Sequence, residues 1–156
     1  MLFRSGEEVG ATAPFLYGRV LELREDLRNL RDGHGAALFA YYKELIRLRL
    51  DPARPSLRSR QIEIVHSSDS ARMIAFRRWQ GAENHLVIAS FSNHPKVPCR
   101  IHSSRLGEER WREIFNSDAA RFGGTNMGHL GGVIHANAGV LECLLPANSL
   151  LVFERL

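Results

Sequence analysis

The chain has 156 residues, 44% of them hydrophobic, and carries 21 Lys and Arg against 17 Asp and Glu, a net charge of +4. That supports one domain, or a small domain with an appendage, and a real apolar core. It excludes a bilayer-spanning helix, because no apolar run approaches the roughly 18–20 residues required. It also argues against a nucleic-acid surface, because the basic residues are interleaved with acids, as in Glu22, Arg24, Glu25, Asp26 and Arg28, instead of clustered.

The N-terminal stretch has no charged region followed by a long apolar one, so it does not read as a signal peptide, and a cytoplasmic product is the expectation. Residues 1–19 are an apolar start followed by a glycine- and proline-marked loop that holds Glu7 and Glu8. Val20, Leu23, Leu27 and Leu30 then recur at helical spacing, and Asp32-Gly33-His34-Gly35 stops that helix. Leu38, Tyr41, Tyr42, Leu45, Ile46 and Leu48 predict a second helix that ends at Asp51-Pro52, since proline disfavours helical geometry in the residue before it. Pro52 and Pro55 mark a linker and place a domain boundary at residue 58.

From residue 60 the period changes to short runs rich in β-branched and aromatic residues. Strands are predicted over 61–66, 71–79, 85–93, 99–103, 110–116, 139–145 and 149–154, separated by turn formers such as Ser68-Asp69-Ser70 and Pro146-Ala147-Asn148. Short strands at this spacing predict an antiparallel sandwich over 59–156. The run Leu86–Phe91 is apolar on both faces and predicts a central strand. Residues 118–137, rich in Gly, Asn and His, are expected to form a long loop.

Few residues carry recognisable chemistry. The seven histidines show no helical pairing, and Cys99 and Cys143 lie in strands without a CxxC or Cys/His spacing, so no metal site is expected and both thiols are expected to be buried and reduced. Phosphate-binding and dinucleotide-binding glycine loops and nucleophile-elbow motifs are absent from the sequence, so no cofactor is expected. Trp79 and Trp111, each at a strand end beside arginines, are candidates for stacking on a sugar face. Packing in the core is the plainer reading for both. Glu7 and Glu8 are acids in a glycine-flanked loop, where solvation or an arginine partner is the plainer reading.

The run Trp111-Arg112-Glu113-Ile114-Phe115-Asn116-Ser117-Asp118, continued by Phe122-Gly123-Gly124-Thr125-Asn126, resembles the tail-domain signature of the α-amylase family (glycoside hydrolase family 13), most of all its 1,4-α-glucan branching enzymes. Met73–Trp79 with Leu86–Asn93, and Leu144–Phe153, are similar to the first strands and the closing strand pair of that family's C-terminal β-domain. Tyr42–Arg49 and Met1–Glu8 resemble the last helix and the eighth strand of its (β/α)8 barrel. Residues 18–31 fit the family poorly, and Ala13–Tyr17 also resembles a related trehalohydrolase.

The resemblance implies a mainly β fold. Residues 1–58 would be the end of the barrel (last strand, loop and helices), followed by a C-terminal β-sandwich at 59–156. It also implies a place in glycogen and α-glucan metabolism. The family cleaves with a retaining pair of carboxylates about 5 Å apart on earlier barrel strands, and no residue here maps onto them. Asn93-His94 has Pro95 where the family's aspartate belongs. The expectation is therefore an accessory domain that is inactive alone and whose partner is an α-glucan or the catalytic barrel. The alternatives are a free-standing carbohydrate-binding module and a piece that completes a separately encoded barrel. If the barrel were present around them, Glu7 or Glu8 at its strand end could line the sugar site.

Overall fold

A computed structural model describes residues 7–12 and 26–156. The predicted eighth-strand segment up to Gly6 and the Val20–Leu23 part of the first helical stripe lie outside the described residues. Glu7–Val9 forms a 3-10 turn. Helix α1 spans Leu27–Asp32. Asp26 caps it, its Oδ1 accepting the Arg28 and Asn29 amides at 3.0 and 3.1 Å. Gly33 follows the helix as its C-cap.

Helix α2 spans Ala36–Leu50 and stops at Asp51, before Pro52, as predicted. Gly35 separates the two helices for a steric reason. A Cβ there would lie 2.1 Å from the Val9 carbonyl oxygen and 2.8 Å from that of Leu30, so only glycine lets the N-terminal turn close onto the helix pair.

Eight antiparallel strands follow: β1 Ile62–Ser68, β2 Met73–Gln80, β3 Glu83–Ser90, β4 Lys96–His102, β5 Arg110–Asn116, β6 Val133–Asn137, β7 Val140–Leu145 and β8 Leu150–Arg155. They form one hydrogen-bonded sheet in the order β1-β2-β3-β8-β5-β6-β7-β4. The sheet curls so that Leu86, Ile88 and Phe153 from one half share a core with Ile101, Leu141 and Leu145 from the other, which is the expected sandwich. Leu86–Ser90 forms most of β3, which lies between β2 and β8 and is buried on both faces, whereas Phe91, expected in the same strand, lies beyond its end.

The strand β6 departs from the expected loop. Ile134 and Ala136 alternate inward with exposed His135 and Asn137. Ala138 and Gly139 both have positive φ (48° and 78°), the twist that a two-residue hairpin into β7 needs. The period-2 signal was present over only five residues, and the glycine- and asparagine-rich sequence around it obscured it.

Helix α2 lies across the outer face of the sheet. Tyr41, Leu45 and Leu48 pack on Leu57, Val87, Phe115 and Val152. The apolar arc of α2 is wider than this contact, so Leu38, Tyr42, Ile46 and Leu50 form a second stripe at four-residue steps that stays exposed, Ile46 by 57% and Leu50 by 60%. A 3-10 turn at Pro55–Arg58 ties the linker to the sheet. Arg78 donates to the carbonyls of Leu57 and Ser59 (3.1 and 3.0 Å), and Arg49 to that of Leu57 (2.8 Å).

Candidate functional site

The Trp111–Asn126 stretch builds a cradle held by the hydrogen bonds of Glu113, Asn116 and Asp118. A bulge in β5 between Glu113 and Phe115 reverses the side-chain alternation. Glu113 therefore points to the inner side, while Phe115 packs with Val152 on the outer face. The buried Glu113 carboxylate accepts the amides of His129 (2.9 Å) and Gly131 (3.2 Å). Asn116 donates to the Met127 carbonyl (2.7 Å) and accepts the Asp118 amide (2.8 Å). The Asp118 carboxylate accepts the Thr125 hydroxyl (2.7 Å) and the amides of Thr125 and Met127 (3.2 and 3.0 Å).

Gly124 is obligatory in this turn, because a Cβ would sit 2.2 Å from the Asp118 carbonyl oxygen. His129 accepts the Leu144 amide on Nε2 (3.1 Å), so its neutral ring carries the proton on Nδ1. Burial holds its pKa below the usual histidine value, although the nearby Glu113 pulls the other way. Phe115 and Phe122, from the two ends of the signature, meet Tyr41 of α2 with ring centroids 5.9 and 5.6 Å away. The signature thus fixes the 118–132 loop on one side and seats the helix on the other.

The structure separates the four residues named from the sequence as sugar contacts. Trp111 has 0% exposure. Both ring faces are packed in the core and none is open to a sugar, so this tryptophan does the packing that was the plainer reading for it. Trp79 is half-buried at the end of β2, with the Arg77 guanidinium 5.4 Å from its ring centre. Glu7 and Glu8 are exposed on the 3-10 turn, which α2 meets through the buried Val9.

Sequence reasoning missed Phe91, which is 65% exposed just beyond β3. It lines a groove of about 700 Å³ between α2 and the strand ends, with Leu38, Tyr41, Phe122, Ser117 and Asn148. A smaller groove of about 310 Å³, lined by Leu45, Leu48, Phe76 and Val152, lies on the same outer face. The missing signal is positional: Phe91 follows directly on a strand that is buried on both faces, and it continues that strand's apolar run.

One cluster has the composition of a nucleophile and base. Ser56 Oγ lies 2.5 Å from His85 Nδ1, and Glu83 accepts the Ser56 amide on Oε2 (3.2 Å) and approaches His85 Nδ1 with Oε1 (3.8 Å). Ser56 is 0% exposed and His85 1%, so no substrate reaches either, and the cluster works as a latch between linker and β3. Burial lowers the His85 pKa most, while Glu83 and Glu154 oppose that shift and Arg54 adds to it. Among the described residues no group of three His, Cys, Asp or Glu is placed to hold a metal ion, and no helix is long and apolar enough to cross a membrane.

Residues 64–155, more than half of the chain, match the family described as "Alpha amylase, C-terminal all-beta domain". The chain belongs to that family. The α-amylase C-terminal domain found here is similar to the corresponding region of the 1,4-alpha-glucan branching enzyme GlgB of Burkholderia thailandensis, at 36% identity over 104 residues, 61% of this chain and 12% of that protein. It is similar also to the GlgB branching enzyme of Synechococcus sp. strain CC9311, at 46% identity over 79 residues, 44% of this chain and 10% of that one. The chain thus spans about one eighth or less of the length of these curated relatives. Among solved structures, the α-amylase of H. orenii superposes with a TM-score of 0.52 at 24% identity, covering 76% of this chain and 20% of that one. That likeness establishes the fold alone. The resemblance carried by the Trp111–Asn126 signature and the closing strands is therefore shown.

Proposed function

We propose that this chain serves as the C-terminal accessory part of a branching-enzyme-like protein of α-glucan metabolism, with residues up to 58 forming the end of a (β/α)8 barrel and no transferase activity of its own. The observation that carries the reading is the outer apolar surface: the Leu38, Tyr42, Ile46 and Leu50 stripe of α2 and the grooves beside it continue a face that the sheet covers on one side only. A surface of this kind suits association with another apolar surface. We take that surface to be a catalytic barrel, a reading that the similarity to branching enzymes supports. The signature residues support the same reading, since their hydrogen bonds hold a loop and their phenyl rings seat α2 instead of meeting at an open cleft.

The test is complementation. A branching enzyme shortened to end before the matching region is mixed with this chain, and branching is followed by the loss of iodine colour from amylose. The chain is expected to bind the shortened enzyme and raise its activity, and to give no colour change alone. Turnover by the pure chain would overturn the accessory reading.

The carbohydrate-binding alternative rests on the one tryptophan with solvent access, Trp79. Glycogen titration of the chain and of Trp79→Ala decides it: no affinity removes that reading, while affinity lost in the variant establishes it.

A further inference from the structure

Cys99 and Cys143 occupy directly opposed positions on the antiparallel strands β4 and β7, and both side chains are buried in the shared core. Directly opposed residues in an antiparallel ladder have Cα atoms roughly 4.5–5.5 Å apart, inside the roughly 4.4–6.8 Å window a disulfide needs. The two side chains enter the same core from facing positions, and the Cys99 thiol donates to the Met73 sulfur at 3.6 Å.

We propose that Cys99 and Cys143 form a reversible redox-modification site that closes to a cross-strand disulfide by exchange with a small-molecule disulfide such as oxidised glutathione. This inference is independent of the accessory-domain reading.

Access comes from the position of β4, the last strand of the sheet. It is hydrogen-bonded to β7 alone and bulged between Lys96 and Cys99. Such a strand opens at less cost than the strands inside the sheet. Cys99 is the attacking group. The Cys143 thiol hydrogen-bonded to it, and secondarily Lys96, hold its pKa below the usual thiol value, whereas that same hydrogen bond and burial push Cys143 up.

The Cys99 thiolate, its proton released to water, attacks one sulfur of glutathione disulfide. That S–S bond breaks, and one glutathione leaves as a thiolate that takes up a proton. Cys143 then loses its proton and attacks the Cys99 sulfur of the mixed disulfide, expelling the second glutathione, which is protonated in turn. Two protein thiols are oxidised and one small disulfide is reduced to two thiols. Few groups must move, because the two cysteines already face each other across one strand pair and the edge strand can follow them.

The experiment titrates the folded chain with graded ratios of oxidised to reduced glutathione. Intact mass, thiol content in denaturant and a non-reducing gel are read at each ratio. The expected product is a monomer lighter by two hydrogens, with no free thiol and a linked Cys99–Cys143 peptide. Its thermal midpoint should rise by at least about 5 °C, reversibly with dithiothreitol. Cys143→Ser should stop at one glutathione adduct on Cys99, with no rise in midpoint. Cys143→Ala serves the same purpose if the serine variant does not fold. Native protein that keeps both thiols while urea-unfolded chain oxidises would overturn the proposal. So would glutathione adducts, or dimers, without the internal link.

Discussion

Leu86 and Val87 are neighbours in β3, yet they enter different surroundings. Leu86 points between the two halves of the curled sheet, where strands from both ends of the order close over it. Val87 points outward, beneath α2, into a smaller cluster with grooves on either side. The inner core is completed by the domain itself, and the outer one depends on a single helix whose own apolar arc is half exposed. One face supplies the stability of the fold, and the other is the surface proposed for association.

The largest expected effect comes from the inner face. Leu86→Ala should cost about 3–4 kcal/mol, because a buried side chain leaves a cavity that a two-sided core cannot collapse into. Val87→Ala should cost about 1–2 kcal/mol, since the helix above it can settle. Urea unfolding of both variants checks this, and equal costs would abolish the distinction between the faces.

Next comes the loop that joins them. Asp118→Ala removes the acceptor of three hydrogen bonds and should cost about 2–3 kcal/mol. Amide exchange should show the loss concentrated at 118–132, with β2 and β3 still protected.

A smaller effect is expected from pH. Burial depresses the folded-state pKa of His85 and His129, so the unfolded chain binds protons more readily than the folded one below its own histidine value of about 6.5. Their contribution is fully present above that pH and is lost as pH falls from about 6.5 toward the folded values. The thermal midpoint should therefore drop between pH 7 and pH 5. His129→Gln should flatten part of that slope, and an unchanged slope in this variant would remove His129 from the account.

The smallest effect on stability belongs to the exposed stripe. Ile46→Glu should change unfolding free energy by no more than about 0.5 kcal/mol. It should nevertheless weaken association with a branching enzyme lacking this region, measured by co-purification. A large loss of stability would show that Ile46 belongs to the fold and not to a docking face.

Much of the architecture was legible in the residues. Seven strands, both helix ends at glycine and proline, and the central place of β3 follow from local periodicity and turn chemistry. The strand β6 was not legible, because its alternation is short and sits among glycines and asparagines, and because its other partner, β5, lies a long loop away. The signature Trp111–Asn126 was visible as a pattern, but its work was not. Only the bulge after Glu113 reveals that Glu113 and Asp118 hold a loop while Phe115 faces the helix.

The sequence by itself determined the helix ends, seven of the eight strands and the family they belong to, because those depend on the order of apolar, polar and turn-forming residues along the chain. Tertiary structure alone decided that Trp111 is sealed in the core while Phe91 stands in the open. It alone decided that Ser56 and His85 meet without access to solvent, and that Cys99 lies opposite Cys143. The physical reason is that exposure and contact are properties of how distant strands are paired, and neighbours in sequence carry no record of that pairing.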